Sequence, residues 1–262
     1  MIIDIHTHCF PDILAPKAIS FLAKKGNVSP FADGTLAKLK KLMAEAKVDK
    51  SVILPIATKP EQTPVINRWA KDVSDHQIIN FGTLHPDFSK WQDEIKWLQE
   101  QGIKGIKFHP EYQNFFVDEP RIFRFYEKIF DAGLIIIFHA GIDVGFPDTC
   151  HCTVKRLKKV IDSFSGAVII AAHMGGYNLW EEVSEVLVGK NIYFDTSFSF
   201  HKLGAANMKK IIRAHGADKI LFGTDSPWTK PGTEIQNLKS LNLSSEELRL
   251  ILGDNAKRIL NL

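Results

Sequence analysis

Cysteine is scarce in this chain: Cys9, Cys150 and Cys152 are the only three among 262 residues. Three thiols cannot all pair within one chain, so a disulfide framework is excluded and a reducing, cytoplasmic setting is expected. Long hydrophobic runs are missing as well. No stretch approaches the roughly 20 apolar residues that a membrane span needs, and no membrane association is expected. There is no glycine-rich phosphate loop. The first apolar run passes instead into His6-Thr7-His8-Cys9-Phe10-Pro11, where a dinucleotide-binding turn would cluster glycines. Nor is there an excess of one charge: 33 basic and 30 acidic residues leave a net charge of +3, spread without a basic block, so nucleic acid is not an expected partner. Residues 1–20 contain His6, His8 and Asp12 and have no basic leading segment, so no secretory signal is expected there.

Short apolar runs alternate with longer amphipathic ones. The runs near 2–6, 51–56, 78–84, 103–109, 134–139, 167–173, 191–195 and 219–224 are predicted strands. Their near-continuous Ile, Val, Leu and Phe content is that of parallel strands buried on both faces. Helical spacing of apolar residues predicts helices over 36–46, 65–73, 91–98, 122–130, 154–164, 179–187, 208–214 and 235–241. Eight strands alternating with helices over about 250 residues predict a single (β/α)8 TIM barrel. With 45% hydrophobic residues, no repeat and no linker, residues 1–262 are expected to form one domain. The tail from Ser244 is expected to form two short helices broken at Gly253-Asp254, with Ser244 or Ser245 and Glu246 or Glu247 at the helix start.

The chemistry gathers where the runs end. His6 and His8 close the first run, and on a strand residues two apart point the same way. Neutral imidazole is the commonest metal ligand, so this pair amounts to half a metal site. Candidates for the other half end separate runs: His109, His139, His173 and Asp225. A (β/α)8 barrel builds its active site at the C-terminal mouth, from strand ends and the loops after them. Histidine and aspartate ligands with an open position make a catalytic metal site rather than a closed structural one.

Other residues are weighed against plainer roles. Lys107 lies two before His109 and shares its face; it is expected to meet substrate or a salt-bridge partner, with carbamylation and a bridge between two metals as the alternative. Tyr112 and Trp228 are expected in the pocket wall. His151, between Cys150 and Cys152, is expected in a loop over the mouth and in contact with substrate; the three neighbours stand too close in sequence to close a metal site alone. His85 is expected to pack behind the site. His76, His201 and His215 are expected in solvent, and so are Arg121 and Arg124.

Taken together, Asp4-Ile5-His6-Thr7-His8, Gly105 to Pro110, Phe138-His139-Ala140-Gly141, Ala172 to Gly176, Phe222 to Trp228 and Gly253 to Ala256 resemble the amidohydrolase superfamily. The likeness is nearest to its compact branch of aminocarboxymuconate-semialdehyde decarboxylases and metal-dependent hydrolases, and it covers nearly the whole chain. The resemblance implies one divalent metal, usually zinc, held by His6, His8, His139 and Asp225, with His173 orienting a water. It implies either hydrolysis of a small amide, ester or lactone, with Asp225 taking the proton of the water, or non-oxidative decarboxylation of a small unsaturated or aromatic carboxylate. Hydrolysis is the first expectation. In the decarboxylase reading Lys107, His151 or a loop arginine would hold a carboxylate, while His109, Tyr112 and Trp228 would line the substrate pocket. A metal-binding protein without turnover would need no such Asp225 and His173 pair. A small-molecule substrate and a homo-oligomer are both compatible with the composition.

Overall fold

The computed structural model describes Met1 to Leu262. Its strands are β1 (Ile3–Thr7), β2 (Lys50–Ile53), β3 in two pieces (Ile78–Asn80 and Gly82–Thr83), β4 (Gly105–Phe108), β5 (Ile135–Phe138), β6 (Ile169–Ala171), β7 (Tyr193–Asp195) and β8 (Ile220–Leu221). All pair in parallel with their sequence neighbours. Helices alternate with them, and the chain closes as a (β/α)8 barrel. No helix is long and apolar enough to cross a membrane.

Several runs give shorter strands than predicted, because the ladder stops where polar side chains take over its hydrogen bonds. β3 breaks at Phe81. Beyond it Asn67, on the helix Gln62–Asp72, replaces the missing neighbour: its amide oxygen accepts from Thr83 N at 2.8 Å and its NH2 donates to Thr83 O at 3.0 Å. Closure between β8 and β1 is also mixed. Ile5 N–H donates to Phe222 O at 2.8 Å, Asp225 N–H to His6 O at 2.8 Å and His8 N–H to Ser226 O at 2.6 Å. Asp4 completes the seam by accepting from Thr224 N at 3.0 Å and Thr224 Oγ1 at 2.6 Å.

The β1–β2 register shifts between Asp4 and Thr7. Ile3 and Ile5 join Val52, Phe81, Ile137 and Ile170 in a buried cluster inside the barrel, as the side-chain layers of such barrels do. A larger cluster, with Ile106, Phe108, Ile136, Phe138 and Phe194, packs against the helices.

Three expectations need correcting. A helix over Ala15–Gly26, begun by Pro16 and ended by Asn27 at φ 49°, occupies the stretch after β1 where no helix was predicted. The tail is not broken at Gly253-Asp254. It winds on from Ser245–Arg249 through a π segment, Leu250–Asp254, into Asn255–Leu260, with Ser244 and Glu247 forming the capping box. His215 is not in solvent: it is buried, stacks on Phe194 at 4.0 Å and bonds to Ile192 O at 2.8 Å.

Gly141, after β5, has φ 83°, and a Cβ there would stand 2.2 Å from Tyr177 N. Gly133 has φ 71° with open space around it. Gly133→Ala should therefore cost about 1 kcal/mol of left-handed backbone strain. Gly141→Ala should cost about 3 kcal/mol or more, since a backbone contact must move as well. Thermal melts of the two variants check this, and equal melting temperatures would contradict it.

Candidate active site

The strand ends converge on a cavity of about 860 Å³ at the C-terminal mouth. His6, His8, Lys107, His109, His139, His173 and Asp225 all face it, and so do Tyr112 and Trp228. Most of the wall is apolar. Leu14, Phe21 and Leu22 come from the unpredicted first helix and the residue before it, and Ile142, Phe146 and Phe198 from the loops. Of the sequence-predicted site residues only His151 is elsewhere. Its Nδ1 lies 3.1 Å from Pro110 O and its ring packs on Phe116, so it stands behind the wall and the expected substrate contact is not made. His76 and His201 are exposed, His85 packs outside the cavity, and Arg121 and Arg124 lie on the exposed face of their helix.

Within the mouth the structure separates two groups. In the first, His6 Nε2, His8 Nε2 and Asp225 Oδ1 meet: 3.2 Å between the imidazoles, 3.4 Å from His6 and 3.1 Å from His8 to the carboxylate. The far nitrogens are committed. His6 Nδ1 donates to Asp195 Oδ2 at 2.8 Å, and His8 Nδ1 to Leu54 O at 2.8 Å. The neutral rings therefore turn lone pairs, not hydrogens, towards the carboxylate oxygen. Lys107 Nζ, 3.4 Å from His6 Nε2, offers a hydrogen to one of the three. Three lone-pair atoms this close are the donor set of a cation: metal–ligand arms of about 2.0–2.2 Å in a tetrahedron put ligand atoms about 3.3–3.6 Å apart. A hydrogen-bonded second nitrogen is what metal-ligating imidazoles ordinarily have.

His139 is not in this trio. Its Nδ1 lies 3.0 Å from His173 Nε2, and its Nε2 is turned towards Asp143, 3.6 Å away. His109 stacks on His139 at 4.2 Å and also faces Asp143, at 3.3 Å.

Burial sets the charges. It drives the pKa of His6 down to about 3, helped by Lys107, and that of His139 well below the ordinary value. It lowers Lys107 to about 8 although Asp195 and Asp225 favour its ammonium form. Burial opposes charge on Asp225 too, and positive charge on His6 or His8 would offset it by holding the carboxyl well below the usual range. His173 and Asp225 have φ 59° and 63°, conformations that cost non-glycine residues of order 1–3 kcal/mol and gather at functional sites.

Sequence reasoning missed four residues that shape the mouth: Asp143, Glu111, Asp195 and Ser197. Asp195 is fully buried at the end of β7, a polar cap on an apolar run like the histidines, and that signal was available. Its Oδ1 accepts from His173 N at 3.0 Å and Ser197 N at 3.1 Å, and from the Ser197 hydroxyl. Asp143 and Glu111 lie beyond the strand ends, where no periodicity marks them.

A sequence profile described as Amidohydrolase matches residues 3–262. The chain belongs to the amidohydrolase family. No curated protein matches it. Among solved structures, an uncharacterized TIM-barrel protein from Bordetella bronchiseptica is 16% identical over 99% of this chain and 98% of its own, with a TM-score of 0.79. A 2,6-dihydroxybenzoate decarboxylase from Rhizobium is 15% identical over 99% and 98%, at 0.75. A dihydroxybenzoic acid decarboxylase from Polaromonas sp. JS666, with bound manganese and the inhibitor 2-nitroresorcinol, is 15% identical over 100% and 97%, at 0.76. At these identities the likeness is one of fold.

Two outcomes follow from the buried charges. Lys107 titrates at about 8 in the folded protein, against the ordinary 10.5 of a lysine in an unfolded chain. Between these values the unfolded chain holds the proton that the folded one has lost, so stability rises with pH. Denaturant melts of metal-free protein at pH 8 and pH 10 should show that rise, and Lys107→Met should lack it; parallel curves would contradict it. Asp195→Asn leaves the hydrogens of His6 and His173 competing with an added NH2, and should cost about 3 kcal/mol or more. Calorimetry checks it, and a wild-type melting temperature would remove Asp195 from its anchoring role.

Proposed function

We propose that the protein is a divalent-metal-dependent, non-oxidative decarboxylase of a small aromatic or unsaturated carboxylate. The observation that carries this reading is the His6, His8 and Asp225 trio at the floor of a largely apolar cavity that also holds one buried lysine. The family membership and the decarboxylases among the structural relatives support it over the hydrolysis of an amide, ester or lactone that the sequence first suggested. His6 Nε2, His8 Nε2 and Asp225 Oδ1 would hold the cation, and His139 Nδ1 and His173 Nε2 border the same space. Two imidazoles and a carboxylate suit zinc and manganese alike. When bound, the cation supplies positive charge that fixes and polarises the oxygens of the substrate.

The residues of the chain do the rest. Lys107, kept in a dry place, pairs with the substrate carboxylate. Tyr112, Trp228 and the apolar wall clasp the ring or alkene and exclude water. The bond from carbon to carboxylate breaks and CO2 leaves; the electron pair stays on the carbon, which takes a proton. Asp225 is the carrier of that proton, which its carboxylate takes up from solvent before the substrate closes the site. As a group that prefers to be ionised, it is a strong acid in the moment it is protonated and gives the proton up readily to carbon. His173, hydrogen-bonded through Nδ1 to Ser197 O and through Nε2 to His139 Nδ1, both at 3.0 Å, is held rigidly in the cavity wall and keeps His139 oriented.

The test is a panel on protein loaded with Zn2+ or Mn2+: hydroxybenzoates and unsaturated acids assayed for CO2 release, against esters, lactones and amides. Decarboxylation is expected, lost on chelation, and reduced by about 10²-fold or more in Asp225→Asn with the fold intact by circular dichroism. Hydrolysis of the second group without CO2 release would overturn the reading in favour of a hydrolase.

A further inference from the structure

The cavity is much larger than a small ring requires. Its volume is about 860 Å³, whereas a cavity of about 150 Å³ is enough to hold benzene. The charged floor accounts for a carboxylate and the ring or alkene that bears it. The rest of the space opens beside His8, whose Nδ1 bonds to Leu54 O just past β2 at 2.8 Å.

From there the wall runs outward between two helices. Ala15–Gly26 buries Ala15 and Ile19 against the protein, and Gln62–Asp72 buries Thr63, Asn67 and Ala70. Each also turns a second face to the cavity: Leu14, Ala18, Phe21 and Leu22 on the first, Ile66 and Trp69 on the second. Residues three and four apart share one side of a helix, so each set forms a continuous strip. A surface helix ordinarily has one apolar stripe, for the core. These helices have two, and the second covers nothing: Leu14 and Phe21 are 53% and 60% exposed.

The arm offers little to a polar ligand. Between Phe10 and Val28, and between Leu54 and Trp69, its lining holds one charged side chain, Lys25. That ammonium is occupied by the rings of Phe146, at 3.3 Å, and Tyr112, at 4.8 Å. Gln62 turns its amide oxygen away to Thr58 N at 2.9 Å and Lys59 N at 3.2 Å. At the Lys25 end the first helix meets the loop after β5, where a Cβ on Gly26 would stand 3.0 Å from Val144 Cγ2. From Leu14 to Leu22 the chain rises about 12 Å at about 1.5 Å per residue, near the reach of an extended octyl group.

We propose that the substrate carries an unbranched apolar chain on its carboxylate-bearing ring or alkene, and that this chain lies in the arm between Ala15–Gly26 and Gln62–Asp72. The proposal rests on the decarboxylase reading for the carboxylate end alone. A short aromatic acid would leave water against the apolar walls, which is unfavourable. Each methylene buried there should raise affinity about three- to fourfold.

Salicylates carrying a methyl, pentyl or nonyl chain at each ring carbon in turn, titrated calorimetrically into metal-free and Zn2+-loaded protein, read the arm without turnover. At one ring position affinity should rise by about 10²-fold from methyl to pentyl. Ala18→Trp, which fills the arm, should bind the three chains alike. A crystal of the wild type with the tightest member should show its chain between the two helices, whatever the folding of the variant, and a chain lying elsewhere would overturn the proposal. Equal affinity for all chain lengths at every position would also overturn it, while CO2 release from the same compounds would leave the decarboxylase reading standing. Rising affinity with no CO2 release from any member would keep the arm and overturn that reading. Equal affinities together with a dimer that Phe21→Glu dissociates would overturn the arm in favour of a second copy on this face.

Discussion

Asp195 is a carboxylate with no access to water, and hydrogens from three residues converge on it: the His6 ring, the His173 amide, and the amide and hydroxyl of Ser197. An ion in that position is tolerated only because its partners replace the water it lost. In satisfying itself Asp195 ties β7 to β1 and to the end of β6. It chooses the tautomer of His6, so that Nε2 points into the cavity, and it helps to hold His173 in a left-handed conformation that the residue would otherwise avoid. Asp225 is brought to the same place by the seam between β8 and β1, where its amide bonds to the His6 carbonyl.

The mouth is a place of low dielectric with charges arranged in advance. Burial keeps His6, His109 and His139 neutral and eases the proton off Lys107. Asp195 stays ionised against the same burial because the His6 ring and Ser197 give it hydrogens. Such an arrangement costs no reorganisation at the moment of reaction, which is where much of enzymatic rate enhancement comes from. It also repels its own parts in the absence of a cation, since lone pairs face lone pairs at about the spacing that coordination requires.

Much of this was legible in the residues. Eight apolar runs at parallel-strand length announce a barrel, and His6, His8, Lys107, His109, His139, His173 and Asp225 mark its mouth because they end those runs. The misses have physical causes. The run at 78–84 looks like one strand, but Asn67 from a helix substitutes for a neighbouring strand beyond Phe81, and no periodicity encodes a side chain that comes from elsewhere. The helix Ala15–Gly26 lies in a loop that the barrel pattern does not require. His151 was placed over the mouth on loop length alone, whereas its ring is drawn to Pro110 O and Phe116.

What the sequence determined by itself is the alternation, and with it the barrel, the mouth and the residue types that gather there; period and strand ends are local properties. Which nitrogen of each histidine faces which oxygen was decided only by the tertiary structure. That choice depends on acceptors contributed by Leu54, by Asp195 and Ser197, and by Asp143, on three separate stretches of the chain that the barrel brings to one mouth. The division of the mouth into one group around Asp225 and another around Asp143 has the same origin.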